Sequence, residues 1–208
     1  MKDVKILYNQ KFLIWWIIFT AIVMFFGLFI SFTIGLFISS FLESQMSPGL
    51  AHAIGYSFMG GALGAMTGWL QWRMLRKRIA ISANWILTAA GGLAVCELVA
   101  GLALWAIGSD RDIDLQGQGI LIYLLIYTIG GLVVGLLQSP LLEKYSLNSH
   151  LWVYVCTLGW GLSFLIFLLG AQLDHFLKIV IIFLIGGMVF GAITGISILK
   201  ILNEKKLV

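Results

Sequence analysis

Apolar runs long enough to cross a membrane recur along this sequence, with only short polar breaks between them. The runs predict helices at about 12–42, 52–79, 83–107, 119–145, 150–173 and 176–202. A membrane-spanning helix needs about 20 apolar residues, so each run is a candidate span. Hydrophobic residues make up 61% of the 208 residues and charged residues only 11%, a balance that a water-soluble fold cannot bury. The sequence therefore predicts an all-α integral membrane protein with six transmembrane helices in one domain, residues 1–208.

The positions of the basic residues predict how the chain is oriented in the membrane. Segments rich in Lys and Arg are retained on the cytoplasmic side. If both termini lie inside, eleven of the 13 basic residues fall in inner segments, and only Arg111 and Lys178 fall outside. The sequence therefore predicts an N-in, C-in protein of a bacterial inner membrane or a thylakoid membrane.

A motif in the second predicted helix recurs in the fourth. The motif is Gly-x-x-x-Gly-x-x-Gln-x-x-x-Leu, and its two copies start 67 residues apart, at Gly64 and Gly131. The same offset relates Trp85 to Trp152, so the similarity extends into the helix that follows each copy. These matches indicate an internal repeat rather than a chance motif.

A degraded third copy lies in the last predicted helix. It starts at Gly187 and has Thr194 in place of the glutamine, while the pair Trp15-Trp16 near the start of the first helix takes the corresponding tryptophan position. The sequence thus predicts three helical hairpins that enter the membrane in the same sense, at 12–79, 83–145 and 150–202. Parallel repeats of this kind are related by an axis near the membrane normal.

The first copy and the segment after it contain Gly64, Gly68, Gln71, Trp72, Leu75, Arg76 and Trp85. These residues resemble a pattern in uncharacterised bacterial polytopic membrane proteins, in which Gly-x-x-x-Gly-x-x-Gln-Trp-x-x-Leu-Arg ends one helix and a tryptophan-containing segment opens the next. The second copy departs from the pattern at Ser139 and Glu143, and the third departs from it at Thr194. The resemblance implies the hairpin architecture and carries no activity, cofactor or substrate.

Three residues of the motif share one helix face, because Gly68 and Gln71 follow Gly64 by four and seven residues. Small residues let helices approach closely, and an amide beside them can hydrogen-bond to the neighbouring helix. The pattern therefore predicts helix packing as the role of Gln71, of Gln138 and of Thr194 in the third copy. Ligand binding is the less favoured alternative.

Tryptophans and a basic cluster are predicted to lie at the membrane surfaces. Tryptophan is enriched at lipid–water interfaces, and six side chains fit such an aromatic belt: Trp15, Trp16, Trp72, Trp85, Trp105 and Trp152. A basic cluster at the inner surface consists of Arg73, Arg76, Lys77 and Arg78. The cluster acts as a topology signal in the simplest interpretation, and contact with anionic lipid headgroups is the alternative.

Glu97 is the only acidic residue inside a predicted span, and it shares a helix face with Ala90, Ala94 and Gly101. This face predicts that Glu97 points toward protein rather than lipid. An ionisable residue within a membrane costs at least about 2.5 kcal/mol, so a functional role is the default hypothesis. The repeat offset relates Glu97 to Phe164, so the shared packing does not need an acid there. Contact with a ligand, proton or cation, and a hydrogen bond that only stabilises the bundle, are both open interpretations.

Two functions fit these features, and both are non-enzymatic. The sequence lacks the nucleophile, phosphate-loop and metal-ligand motifs of enzymes, points to no particular cofactor, and has no nucleic-acid-binding element. The first hypothesis is an accessory or assembly subunit that packs, within the lipid bilayer, against other subunits of a larger membrane complex such as a respiratory or photosynthetic one. The alternative is a small transporter or substrate-capture subunit with a cavity around Glu97. The first is slightly favoured, because a solute path normally needs more than one polar side chain at mid-depth.

Overall fold

The computed structural model describes residues 2–106, 118–171 and 176–203. Within these ranges the chain forms six α-helices: α1 (Lys2–Glu43), α2 (Pro48–Leu75), α3 (Asn84–Ala106), α4 (Gln118–Glu143), α5 (Leu151–Ala171) and α6 (Phe176–Asn203). The prediction of an all-α chain with six helices is confirmed. The predicted helix ends at 107 and 173, together with Arg111, lie outside the described residues.

Three helix ends differ from the sequence prediction by more than two residues. Helix α1 begins ten residues before the apolar run, because residues 2–11 contain no glycine or proline that would end it. Helix α2 begins at Pro48, since proline is well tolerated in the first turn of a helix. It ends at Leu75, and the basic residues Arg76, Lys77 and Arg78 form the turn that follows.

Five of the six helices are long and apolar enough to cross a membrane, over Asn9–Glu43, Asn84–Ala106, Leu124–Glu143, Leu151–Gly170 and Val180–Asn203. Helix α2 is not among them, because six glycines and polar residues such as His52 and Gln71 lower its apolar content. The outer surface exposes many large apolar side chains, including Phe37, Leu87 and Leu158. These properties are consistent with a multi-pass membrane protein, in which lipid rather than water covers such a surface.

The helices pack as a closed ring. Each helix contacts the helices before and after it in the chain, and α6 returns to contact α1. Among the described residues no other pair of helices meets, so the ring has a centre that no helix occupies. Neighbouring helices run antiparallel, as α2 and α3 show. Gly60 of α2 lies against Leu93 of α3, whereas Gly68, further along α2, lies against Ile86, which is nearer the start of α3.

Corresponding glycines of the three motif copies bring helix backbones together at three places in this ring. A methyl group on Gly68 would lie 3.2 Å from the Cα atom of Ile86, between α2 and α3. The corresponding distances are 2.7 Å from Gly135 to Val153, between α4 and α5, and 2.9 Å from Gly191 to Ile17, between α6 and α1. Any side chain at these glycines would push the two helices apart.

We expect Gly64→Ala to destabilise the bundle, because the added methyl group would collide with the backbone of Ala89 and Ala90 in α3. Overpacking of this kind costs about 1 to 3 kcal/mol. Gly91→Ala is the matched control, since Gly91 is exposed and a methyl group there meets nothing within 4 Å. Unfolding of the purified variants in mixed micelles measures both effects, and equal stabilities would contradict the close approach of α2 to α3.

Candidate functional site

The half of the ring that contains the start of α1 has a core of three buried tryptophans. Trp16, Trp85 and Trp152 are all fully buried. Each indole N–H donates a hydrogen bond to a polar side chain near the end of an even-numbered helix. The acceptors are Thr194 Oγ1 at 3.0 Å from Trp16, Gln71 Oε1 at 3.1 Å from Trp85, and Gln138 Oε1 at 2.8 Å from Trp152.

Gln138 connects three helices through its two amide atoms. Its Oε1 accepts from Trp152 of α5 at 2.8 Å, and its Nε2 donates to the backbone carbonyl of Trp85 in α3 at 3.2 Å. The rings of Trp85 and Trp152 lie 5.4 Å apart. Gln71, Gln138 and Thr194 therefore make hydrogen bonds between helices, which is the kind of contact that a packing role requires.

The aromatic-belt prediction is wrong for three of the six tryptophans. Trp16, Trp85 and Trp152 are buried in the core, because a glutamine or threonine inside the bundle satisfies each indole N–H. Trp15 and Trp105 are half-exposed on the outer surface, as a belt position requires. The same side chain type thus takes both places, and each of these three buried tryptophans has an acceptor inside the bundle.

The opposite half of the ring contains a partly enclosed cavity of about 380 Å³. This half holds the later parts of α1, α3 and α5 and the earlier parts of α2, α4 and α6. All six helices contribute to the lining, which consists of Leu28, Phe29, Phe32, Tyr56, Met59, Glu97, Ala100, Leu104, Ile126, Tyr127, Phe164, Phe167, Leu168 and Phe183. The lining is therefore almost entirely apolar, with half of its residues aromatic.

Glu97 is the acidic group of this cavity. Its side chain is 4% exposed and lies between α2 and α4. On the α2 side, a methyl group on Gly60 would lie 2.6 Å from Glu97 Cγ, so only glycine leaves room for the acid. On the α4 side, the hydroxyl of Tyr127 hydrogen-bonds to the carboxyl group. Gly60 thus leaves space for the Glu97 side chain at the cavity wall, and Tyr127 supplies a polar partner for its carboxyl group.

Aromatic rings line the cavity on the side of α4, α5 and α6. Tyr127 stacks on Phe164 with ring centroids 3.5 Å apart, and Phe167 stacks on Phe183 with centroids 4.9 Å apart. Phe164 takes the place in α5 that Glu97 takes in α3. Both stand twelve residues after a buried tryptophan, Trp152 or Trp85, and Leu28 stands twelve after Trp16. These three corresponding positions all line the same cavity.

The basic cluster lies at the other end of the bundle from the cavity. Arg73 and Arg76 are exposed and lie over the rings of Trp69 and Trp72, at 5.3 and 4.6 Å. Lys77 is also exposed. Arg78 instead joins the turn after α2 to the start of α1, because its Nη1 donates to Asn9 Oδ1 at 2.9 Å and its guanidinium covers the ring of Phe12 at 4.0 Å.

Tyr127 and the aromatic rings of the cavity are candidate site residues that no sequence motif marks. One signal could have found Tyr127, because the repeat offset of 67 residues relates it to Gly60. A glycine of α2 and a tyrosine of α4 therefore take corresponding places, and both lie beside the side chain of Glu97.

No family model, curated protein or solved structure matches this chain. Its function is therefore inferred from its own residues.

Proposed function

We propose that the protein is a non-enzymatic membrane subunit that captures or transports a small, largely apolar solute in its central cavity. The cavity carries this proposal, because its volume of about 380 Å³ falls in the range of about 300 to 1,000 Å³ that is usual for ligand sites. Such sites combine an apolar lining with a few polar groups that orient the ligand. Glu97, Tyr56 and Tyr127 supply those polar groups here.

The cavity changes the order of the two functions that the sequence favoured. The sequence alone favours the accessory subunit slightly, because Glu97 is a single polar side chain and a solute site normally needs several. Tyr127 bonds to the carboxyl of Glu97, and Tyr56 lines the same cavity. Three polar side chains at one cavity support solute binding better than they support simple helix packing.

We propose in addition that α2 also crosses the membrane, that both termini lie inside, and that the chain consists of three related hairpins. The three tryptophan hydrogen bonds and the three glycine contacts support the repeat, since each set recurs between α2 and α3, α4 and α5, and α6 and α1. In this topology the cavity lies in the outer half of the membrane, where it receives solute from outside. The exposed Arg73, Arg76 and Lys77 then face the anionic headgroups of the inner leaflet.

A fusion experiment tests the proposed topology. A reporter enzyme that is active only outside the cytoplasm should give no signal when it is attached after residue 208, because both termini are inside. The same reporter inserted after Gln45, between α1 and α2, should be active. Activity at residue 208 would overturn the topology and the assignment of the cavity to the outer half.

The second candidate function is the accessory or assembly subunit, in which the outer surface binds other membrane subunits. A groove between α1, α2 and α3 favours it, because its lining combines small residues such as Gly27 and Ala65 with large side chains such as Trp69. Grooves with small residues let a neighbouring transmembrane helix approach closely. The respiratory or photosynthetic setting remains part of this second proposal.

Two tryptophan substitutions distinguish these functions. Ala100 lines the cavity and Ala65 lines the outer groove, so Ala100→Trp fills the first space and Ala65→Trp fills the second. We expect gently purified Ala100→Trp to lose a retained solute that the wild type and Ala65→Trp both keep, as measured by native mass spectrometry. A wild type that holds a stoichiometric protein partner and no solute, with the partner lost in Ala65→Trp, would favour the accessory subunit and contradict capture.

A further inference from the structure

We infer that the solute is a lipophilic organic cation, an apolar molecule that carries one amine or quaternary ammonium group beside Glu97. This inference rests on the proposed function and names its substrate class. The described residues that line the cavity include one carboxyl group and no Lys, Arg or His. A carboxyl group buried among apolar groups is stable only when a proton or a cationic partner neutralises it. A cationic solute is a neutralising partner that the described lining does not itself provide.

The aromatic lining fits an organic cation for a second reason. Seven of the lining residues have aromatic rings: Phe29, Phe32, Tyr56, Tyr127, Phe164, Phe167 and Phe183. Cations are attracted to the faces of aromatic rings, and this attraction is strongest when water is excluded. Aromatic cages of this kind bind quaternary ammonium groups. The cavity therefore offers an acid and several rings within one apolar space.

An inorganic cation fits the same lining poorly. Calcium and magnesium ions need about six to eight oxygen ligands, whereas the described side chains of this cavity offer oxygen atoms only from Glu97, Tyr56 and Tyr127. A hydrated ion would also lose its water without replacement against Phe164 and Phe183. An organic cation keeps its charge next to Glu97 and places its apolar part against the remaining wall.

Two probes of equal shape test the charge of the solute. One is the phenylbutyl-trimethylammonium ion, and the other is its neutral isostere, in which a tert-butyl group replaces the trimethylammonium group. Binding of each is measured by native mass spectrometry and by equilibrium dialysis, with the full chain in nanodiscs of uncharged lipid. The variants are Glu97→Gln, Phe183→Leu, and Glu143→Gln as the matched control, since Glu143 is exposed at the end of α4, away from the cavity.

We expect the wild type and Glu143→Gln to bind the cation about tenfold or more tightly than the isostere, which corresponds to one charge pair with ring contacts. Glu97→Gln should bind the two probes equally, because glutamine keeps the shape and loses the charge. Phe183→Leu should reduce the ratio of cation affinity to isostere affinity several-fold, because it removes one aromatic ring from the cavity. This variant gives an independent test if Glu97→Gln does not fold.

The possible failures separate the inference from the proposed function. Equal binding of both probes by the wild type, with loss of both in Ala100→Trp, would overturn the cationic solute and leave capture in the cavity standing. A cation preference that survives in Glu97→Gln would overturn the role of Glu97. If the wild type binds neither probe, the inference of a cationic solute is contradicted. If the purified wild type still retains a native solute in that case, capture in the cavity has not failed.

Discussion

The structure depends on three corresponding places, one for each motif copy, where glycines let helix backbones touch. These contacts join α2 to α3, α4 to α5 and α6 to α1, at Gly68, Gly135 and Gly191. In a membrane there is no hydrophobic driving force between helices, so close packing and interhelical hydrogen bonds must hold them together. Backbone approach provides the packing, and it also brings each indole within reach of its glutamine or threonine. The glycine contact and the tryptophan hydrogen bond therefore occur together at each of these helix pairs. Between α6 and α1 they are the contact of Gly191 with Ile17 and the bond from Trp16 to Thr194.

This arrangement divides the bundle into a filled half and a half with space. In the filled half, Trp16, Trp85 and Trp152 occupy the centre of the ring, and their N–H groups are satisfied inside it. In the other half the corresponding places twelve residues later hold Leu28, Glu97 and Phe164, which line the cavity without filling it. The three motif copies thus differ where the cavity lies, because Glu97 stands at a position that holds an apolar residue, Leu28 or Phe164, in the other two copies.

Helix number could be predicted from sequence because apolar runs are local patterns. The 67-residue offset relates Gln71 to Gln138 and Trp85 to Trp152, but these are corresponding residues, and the hydrogen bond from each tryptophan to its glutamine was not predicted. Burial of those tryptophans could not be predicted, since a tryptophan near a helix end also fits a membrane surface. The transporter alternative expects a cavity around Glu97, but the volume and aromatic lining of that cavity could not be predicted, because they depend on how Tyr127, Phe167 and Phe183 pack. No pattern within a single helix contains that information.

Closure of the ring between α6 and α1 is the claim on which both the tryptophan core and the cavity depend. The hydrogen bond of 3.0 Å from Trp16 Nε1 to Thr194 Oγ1 tests it directly, because it joins α1 to α6. A double-mutant cycle compares Trp16→Phe, Thr194→Val and the double variant by unfolding of the purified proteins in mixed micelles. The effects of Trp16→Phe and Thr194→Val should be coupled by about 0.6 to 2 kcal/mol. Trp16→Phe and Thr88→Val should be additive, because Thr88 lies in α3, which α1 does not contact among the described residues. Additive effects of Trp16→Phe and Thr194→Val would contradict the closed ring.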